Sequence, residues 1–243
     1  GLEVNIRMVD CVGYTVPGAK GYEDENGPRM IHTPWYDEPI PFHEAAEIGT
    51  RKVIQDHSTL GVVVTTDGSI GEIPRSDYIE AEERVVEELK EVGKPFIMIV
   101  NTVSPYHPDT EVLRSKLQEK YDIPVLAMSI ESMREGDVIN VLREALFEFP
   151  VLEVNVNLPR WVMVLNEDHW LRGSYQDAIR ETVQDIKRLR DVDRLVALFE
   201  EYEFVGHASL AGIEMGQGVA ELDLSAPDEL YDQVLKEIVG VEI

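Results

Sequence analysis

The sequence predicts an α/β fold over residues 1–149, a parallel sheet with flanking helices, followed by an α+β domain over residues 150–243. In the first part, short β-branched runs alternate with amphipathic helical patterns, as in parallel sheets covered by helices on both faces. After Phe149-Pro150 the pattern changes to an alternating strand, a helical stretch, a strand pair and a final helix. A chain of 243 residues is long enough for two such domains.

Composition excludes several classes of function. The chain carries 22 Lys and Arg against 47 Asp and Glu, a formal charge of −25, so nucleic acid is not an expected partner and no basic stripe is present. Cys11 is the one cysteine, so an internal disulfide cannot form. No apolar run approaches the roughly 18 residues of a membrane span, and the single cysteine suits a reducing cytosol.

Apolar periodicity predicts the elements of the first domain in order. They are a buried strand at 4–13, a Gly- and Pro-rich loop or lid at 17–41, a helix at 44–57, a strand at 60–67, a helix at 78–92, a strand at 95–101, a helix at 109–121, a strand at 123–129 and a helix at 137–148. Gly93 is expected to end the second helix, and Asp109 or Thr110 to cap the third.

The second domain is predicted in the same way. Its elements are strands at 152–158 and 161–165 separated by Pro159, helical structure over most of 174–202, a strand pair at 205–213 and 218–224, and a helix at 226–239. Ser225 is the expected cap of that last helix, with Pro227 in its first turn.

Polar residues follow each predicted strand of the first domain at its carboxyl end. In parallel sheets this edge is where ligands bind. The residues there are Asp10 and Gly13, Thr65 to Asp67, Asn101 and Thr102, and Ala127 to Ser129. The sequence therefore predicts that these residues gather along one edge of the sheet.

The first of these groups forms a D-x-x-G turn. In P-loop NTPases an Asp in this position holds Mg²⁺, and the Gly amide meets the terminal phosphate. This predicts Asp10 as the metal ligand, with Asp10 and Gly13 at the catalytic centre. The motif alone is weak, and an Asp that merely caps a turn is the alternative.

The run Asn101-Thr102-Val103-Ser104 stands where translation-factor GTPases carry N-K-x-D. The Asn there braces the phosphate loop, and the Asp pairs with guanine. In this chain Thr102 replaces the Lys and the neutral Ser104 replaces the Asp, which favours ATP, or no nucleotide, over GTP. Ser129 follows the next strand, where those proteins place a base-contacting loop. The predicted nucleotide-contacting residues are therefore Asn101, Thr102, Ser104 and Ser129.

The whole chain closely resembles the stage IV sporulation protein A family. The resemblance lies in the segments DCVGYTVPGA (10–19), WYDEP (35–39), TTDGS (65–69), NTVSP (101–105) and NEDHW (166–170). It implies an ATPase that uses ATP and Mg²⁺, is related to translation-factor GTPases, and polymerises into the basement layer of the spore coat. It also implies self-association, coat-protein partners, a small membrane-anchored sporulation protein as partner, and a place in the mother-cell cytoplasm at the outer forespore surface.

The chain departs from that pattern in two places. It contains no G-x-x-x-x-G-K-[ST] phosphate loop, so the first domain is expected to be an incomplete P-loop NTPase-like sheet, lacking its first strand and phosphate loop. Tyr14 follows Gly13, where related GTPases often carry a water-orienting Gln or His. These features predict a fragment, also lacking the C-terminal region, that is inactive by itself. The competing hypothesis is a structural assembly or partner-docking module that needs no nucleotide.

Overall fold

The computed structural model describes residues 5–24, 27–214 and 216–240. The chain divides into two compact units, Gly1–Ala145 and Leu146–Ile243. Each unit has its own sheet and hydrophobic core, and each is described by itself.

The first unit contains two short hairpins and then alternating helices and strands. Its elements are β1 (Glu23–Asp24), β2 (Gly27–Pro28), β3 (Met30–Thr33), β4 (Tyr36–Pro41), α1 (Phe42–Lys52), a π-helical turn (Val53–His57), β5 (Gly61–Thr66), α2 (Arg75–Val92), β6 (Phe96–Asn101), α3 (Pro108–Tyr121), β7 (Val125–Met128) and α4 (Glu135–Leu146). The helices of the predicted β-α alternation are thus all present, each within a few residues of its expected bounds.

Strands β5, β6 and β7 form a parallel sheet in that order. Thr66 pairs with Asn101, and Asn101 pairs with Met128, so the three strands end level with one another. This confirms the predicted α/β fold with a parallel sheet, and it brings the loops after β5, β6 and β7 to one edge.

Apolar side chains alternate across this sheet because successive residues of a strand point to opposite faces. Met98 and Val100 pack with α2 and α3 on one face, whereas Ile97 and Ile99 pack with α4 on the other. Ile97, Met98 and Val100 have no exposed surface. Helices therefore cover both faces of β6, as the fold class predicts.

The predicted first strand is wrong. Val4 lies outside the described residues, and residues 5–16 form no helix or strand. Met8 is 93% exposed and Val12 is 67% exposed. A strand needs a neighbour to satisfy its backbone groups, and among the described residues the free edge of β5 pairs with no strand. Apolar character and an Asp-Gly turn do not make a strand without that partner.

The predicted loop or lid at 17–41 is more regular than expected. Antiparallel pairing joins β1 with β2 and β3 with β4. Ile31 and Ile40 are partners in the second hairpin, which continues directly into α1. The ring of Trp35 lies beside Gly49 of α1, where a Cβ would be 3.5 Å from the indole. The second hairpin therefore contacts α1, although most of its side chains remain exposed.

The second unit holds the predicted α+β arrangement. Its elements are β8 (Glu153–Asn157), α5 (Arg160–Met163), α6 (Trp170–Val183), a 3-10 turn (Leu189–Asp191), α7 (Val192–Phe199), β9 (His207–Glu214), β10 (Val219–Ser225) and α8 (Asp228–Val239). The strand order is β8-β10-β9, with β10 parallel to β8 and antiparallel to β9. Tyr175, Phe199 and Leu222 have no exposed surface in its core.

Three local predictions were wrong, one in the type of element and two in the residue that caps a helix. Residues 160–163 are the short helix α5, not a strand, with Pro159 at its start. His107, not Asp109, caps α3, since its side chain accepts a hydrogen bond from the Asp109 amide. Pro227, not Ser225, precedes α8 as the N-cap.

Candidate functional site

The loop after β5 is tied to the loop after β6 by a single carboxylate. The Thr102 hydroxyl donates to Asp67 Oδ2 at 2.6 Å, and Thr102 has no exposed surface. Asp67 Oδ1 accepts from the amide and hydroxyl of Ser69 at 2.9 and 2.5 Å. The Val103 amide in turn donates to Ser69 Oγ at 3.1 Å. Asp67 thus holds the two loops together from both of its oxygens.

The loop after β7 joins the same arrangement through Asn101. Its side-chain oxygen accepts a hydrogen bond from the Ile130 amide at 3.0 Å. The Thr102 amide donates to the Met128 carbonyl at 3.0 Å. The structure therefore brings together the sequence-predicted residues Asn101, Thr102, Ser104 and Ser129, which lie on adjoining strand ends.

These four residues have different surroundings. The Asn101 amide oxygen braces the β7 loop, and the buried Thr102 hydroxyl also accepts from the Ser104 amide at 3.1 Å. Ser104 is exposed and Ser129 is half-buried. Asn101 and Thr102 therefore fix the shape of the edge. Ser104 is the most exposed of the four residues and the most accessible to a ligand.

The ionisation of Asp67 reflects these bonds. Burial acts most strongly and raises the pKa of its carboxyl, but the hydrogen bonds from Ser69 and Thr102 outweigh it, so the pKa lies below its ordinary value of 3.8. Asp67 is therefore an anion under all physiological conditions. Its charge keeps the bonds to both loops strong.

A buried ion pair supports the β5 loop from beneath. Arg75 donates to the Thr65 hydroxyl at 2.8 Å and lies 2.7 Å from Glu82 Oε2. The Glu82 side chain is 2% exposed, and its other oxygen accepts from the Tyr121 hydroxyl at 2.9 Å. Burial and the charge of Glu82 raise the pKa of Tyr121 to about 12, which keeps that hydroxyl a donor. This chain of contacts links β5, α2 and α3.

Gly68 makes the turn between β5 and α2 possible. Its φ is +90°, a conformation that L side chains rarely adopt, and a Cβ there would lie 2.9 Å from the Arg75 amide nitrogen. Its own amide donates to Thr66 Oγ1 at 3.1 Å. The TTDGS segment therefore needs a glycine at this position so that the start of α2 can approach the strand end.

The D-x-x-G turn lies elsewhere. Asp10 is exposed, and the Gly13 amide donates to Thr50 Oγ1 of α1 at 3.1 Å. The next residue, Tyr14, donates its hydroxyl to Glu88 of α2. The predicted residue Gly13 is thus docked on α1, Tyr14 contacts α2, and Asp10 lies exposed three residues before Gly13.

Charged side chains surround Tyr14. The guanidinium of Arg84 lies 4.1 Å from the centre of its ring and 2.7 Å from Glu47 Oε2. Glu88 also lies 3.5 Å from Arg51 and 3.6 Å from Arg84. Burial, followed by the hydrogen bond with Glu88, raises the pKa of Tyr14 above its ordinary value, so its hydroxyl remains a donor.

Glu88, which binds Tyr14, lies far along α2 from the loop after β5. Arg75 begins α2 beside the β5 loop, and Glu88 lies 13 residues later, about 20 Å along the helix axis. The helix leads from there toward the amino end of β6. The Tyr14 ring also lies on Arg84, so the residue after Gly13 contacts the second half of α2, whereas Arg75 at the start of the helix lies beside the β5 loop.

The sequence placed Asp67 at the ligand edge without giving it a role, and it gave no role to Thr50. An acid directly after a β-branched strand was the available signal for Asp67, since charged residues at strand ends face the ligand edge. Thr50 offered no signal, because its role depends on a contact 37 residues away in the chain.

Within the ranges given above, no group of three or more His, Cys, Asp or Glu side chains is arranged to hold a metal ion. No helix in this part of the chain is long and apolar enough to cross a bilayer.

The fold and the strand-end loops define an α/β protein whose polar residues converge at the edge where such sheets bind ligands. Residues 1–150 match the family model described as "Stage IV sporulation protein A, ATPase domain", and residues 151–243 match "Stage IV sporulation protein A, middle domain". The chain belongs to the stage IV sporulation protein A family.

Similar curated proteins bear the same name. A stage IV sporulation protein A of Bacillus anthracis is 83% identical over all 243 residues, and one of Bacillus subtilis (strain 168) is 79% identical over the same length. One of Clostridioides difficile (strain 630) is 44% identical over 242 residues. The chain is covered completely but spans only 49% of each of these relatives. No solved structure matches it.

Proposed function

We propose that the intact protein hydrolyses ATP with Mg²⁺ and thereby polymerises into the basement layer of the spore coat. The observation that carries the ATPase part is the arrangement at the carboxyl edge of the sheet, where Asp67 and Asn101 fix the loops of three adjacent strands. Fixed loops at this edge are what a nucleotide site requires, because preorganised groups need no reordering when the ligand binds. The match to the family's ATPase domain supports the same assignment.

The residues of this chain suit an adenine nucleotide and a magnesium ion. Mg²⁺ binds mainly water and phosphate oxygens and takes only one or two carboxylates from the protein. The exposed carboxylate of Asp10 could therefore serve as its protein ligand. Ser104, at the accessible end of the β6 loop, has no charge with which to pair guanine. Bound ATP supplies the phosphoryl group that is transferred to water, and Mg²⁺ neutralises charge on its oxygens.

The partners proposed for the intact protein are those that the resemblance of the sequence implies. They are further copies of the same chain, coat proteins, and a small membrane-anchored sporulation protein that holds the assembly at the outer forespore surface. The high negative charge of the chain supports protein partners over nucleic acid.

Nucleotide turnover by the intact protein tests the proposal. We expect phosphate release from ATP and little from GTP, and we expect Asp10→Ala to abolish it. Asp37→Ala, a matched change of an exposed acid on β4, should leave turnover intact. Full activity of Asp10→Ala would remove Asp10 from the metal site. Activity in residues 1–243 alone would mean that other residues hold the phosphates.

A second candidate function is a nucleotide-independent assembly module. The exposed side chains of β5 favour it, since Val62 and Val64 are 45% and 56% exposed on a strand whose outer edge pairs with no described strand. Uncovered edges tend to pair with other chains. Concentration-dependent sedimentation of residues 1–243 without nucleotide, abolished by Val64→Lys, would favour this function. Association that appears only with ATP would favour the ATPase.

A further inference from the structure

We propose that Thr50 and Glu88 hold the turn of Asp10–Gly13 in a resting position, from which ATP must release it. The proposal rests on the proposed ATPase function for its ligand, but the resting contacts themselves are present without nucleotide. Thr50 and Tyr14 are then positioning residues, because they act on the turn and not on the reacting atoms.

The amide of Gly13 is the centre of this arrangement. It donates to Thr50 Oγ1 at 3.1 Å, and Thr50 is only 2% exposed, so the acceptor is fixed within the unit. The same amide is the group that a D-x-x-G turn offers to the terminal phosphate of a nucleotide. One N–H cannot make a full bond to both acceptors, so the Thr50 hydroxyl and the phosphate compete for it.

Tyr14 supplies the second half of the anchor. Its hydroxyl donates to Glu88, and its ring lies under Arg84 at 4.1 Å. Glu88 is itself held by Arg51 at 3.5 Å, so contacts from α1 and α2 converge on the residue after Gly13. A side chain so engaged cannot orient an attacking water. In the resting position Tyr14 therefore has an anchoring role, which differs from the water-orienting role of the Gln or His that related GTPases often carry there.

The position of Glu88 on α2 implies that the turn must move when ATP binds. Glu88 is about 20 Å along the helix from Arg75, which lies beside the strand-end loops. Gly13 must therefore leave Thr50, and Tyr14 must leave Glu88, before the turn can share a phosphate with the Asn101 edge. Binding of ATP then exchanges one set of contacts for another, which is how a two-state switch couples a ligand to movement.

The resting anchor can be tested without nucleotide. Cys11 lies in the turn, is exposed and is the chain's one cysteine, so a maleimide dye attached there reports the mobility of the turn. In residues 1–243, we expect Thr50→Val and Tyr14→Phe each to lower the fluorescence anisotropy of the dye. The matched controls Thr110→Val, at a buried threonine of α3, and Tyr36→Phe, on β4, should leave it unchanged. Equal anisotropy in all five proteins would overturn the anchor.

Competition with phosphate is tested in the intact protein. Removing the Thr50 hydroxyl should lower the KM for ATP about fivefold, the value of one ordinary hydrogen bond, and leave kcat unchanged. Tyr14→Phe should act in the same direction, because the phenyl ring still stacks under Arg84 but releases Glu88. A variant that merely damaged the fold would lower kcat instead. A KM unchanged in both variants would overturn the competition.

The two proposals fail in different ways. If the intact protein hydrolyses no ATP, the proposed function is wrong, whereas the anisotropy of the dye still decides whether the anchor exists. If turnover is normal but the dye at Cys11 is equally mobile in every variant, the ATPase assignment stands and the anchor is wrong.

Discussion

The two groups of predicted site residues are held by different means. The group at the carboxyl edge follows strands that pair with one another, and Asp67 and Asn101 join its loops by hydrogen bonds of 2.5 to 3.1 Å. The turn with Asp10 and Gly13 follows no strand and is attached by side chains that reach across from α1 and α2. A site motif therefore lies at the predicted sheet edge where the strand that carries it pairs with a neighbouring strand.

The free energy of unfolding of variants tests the difference between the two groups. If the carboxyl edge is part of the folded framework and the turn is a docked segment, substitutions at the edge should cost far more free energy of unfolding than substitutions at the turn. Five changes to residues 1–243 test this, beginning with the most destabilising.

Glu82→Gln should be the most damaging. It leaves Arg75 without the carboxylate that lies 2.7 Å away in a nearly closed environment, and breaking a buried pair costs about 3 kcal/mol. Chemical denaturation measures the loss. Glu83→Gln is the control, because its ion pair with Lys120 is about half exposed and is worth under about 1 kcal/mol. Equal losses at the two positions would mean that the buried pair does not support the edge.

Gly68→Ala should destabilise the β5 turn by about 2 kcal/mol, since it adds a Cβ 2.9 Å from the Arg75 nitrogen at a positive φ. Gly71→Ala, where a Cβ meets nothing within 4 Å, should change the free energy of unfolding by less than about 0.5 kcal/mol. A thermal melt of both variants separates the effects. Tolerance of Ala at 68 would show that this turn is free to rearrange.

Thr102→Val should cost about 1.5 kcal/mol, because it removes the hydroxyl that Asp67 Oδ2 and the Ser104 amide share. Thr110→Val is a matched change at another buried threonine. Urea titrations give both values. A loss no greater than at Thr110 would show that the bond between the loops contributes nothing.

Asp67→Asn should change how stability depends on pH. The pKa of Asp67 is lower in the folded than in the unfolded state, so the unfolded state binds more protons as the pH falls. Its stabilisation is therefore complete above pH 3.8, the ordinary value, and is lost below it as the pH falls through the folded pKa. The Asn variant should lack this acid-side loss. A pH profile unchanged below pH 4 would contradict the role of the carboxylate.

Tyr14→Phe should cost the least, under about 1 kcal/mol, because it removes one hydrogen bond from a docked segment and keeps the stacking under Arg84. Denaturation midpoints of the variant and the parent chain measure it. A loss as large as that of Glu82→Gln would erase the contrast between the turn and the edge.

Local patterns predicted most of the helices and the sheet correctly. The continuous apolar run at 95–101 predicts a strand buried on both faces, and β6 is that strand. Gly93 has the left-handed conformation expected of a helix C-terminal glycine. The predictions failed where the structure depends on contacts beyond the local segment. The run at 4–13 has the composition of a strand and no partner, and residues 160–163 form a helix after Pro159.

The candidate site divides in the same way. The order of residues along the chain was enough to predict which of them follow the strands and share one edge, because parallel pairing aligns the carboxyl ends of β5, β6 and β7. It was also enough to show that Ser104 offers no carboxylate. The burial of Thr102 against Asp67, and the hydrogen bond from the Gly13 amide to Thr50, are seen only in the folded structure. Periodicity along a chain reports burial within one element, whereas these bonds join residues 35 and 37 positions apart and depend on how the elements pack.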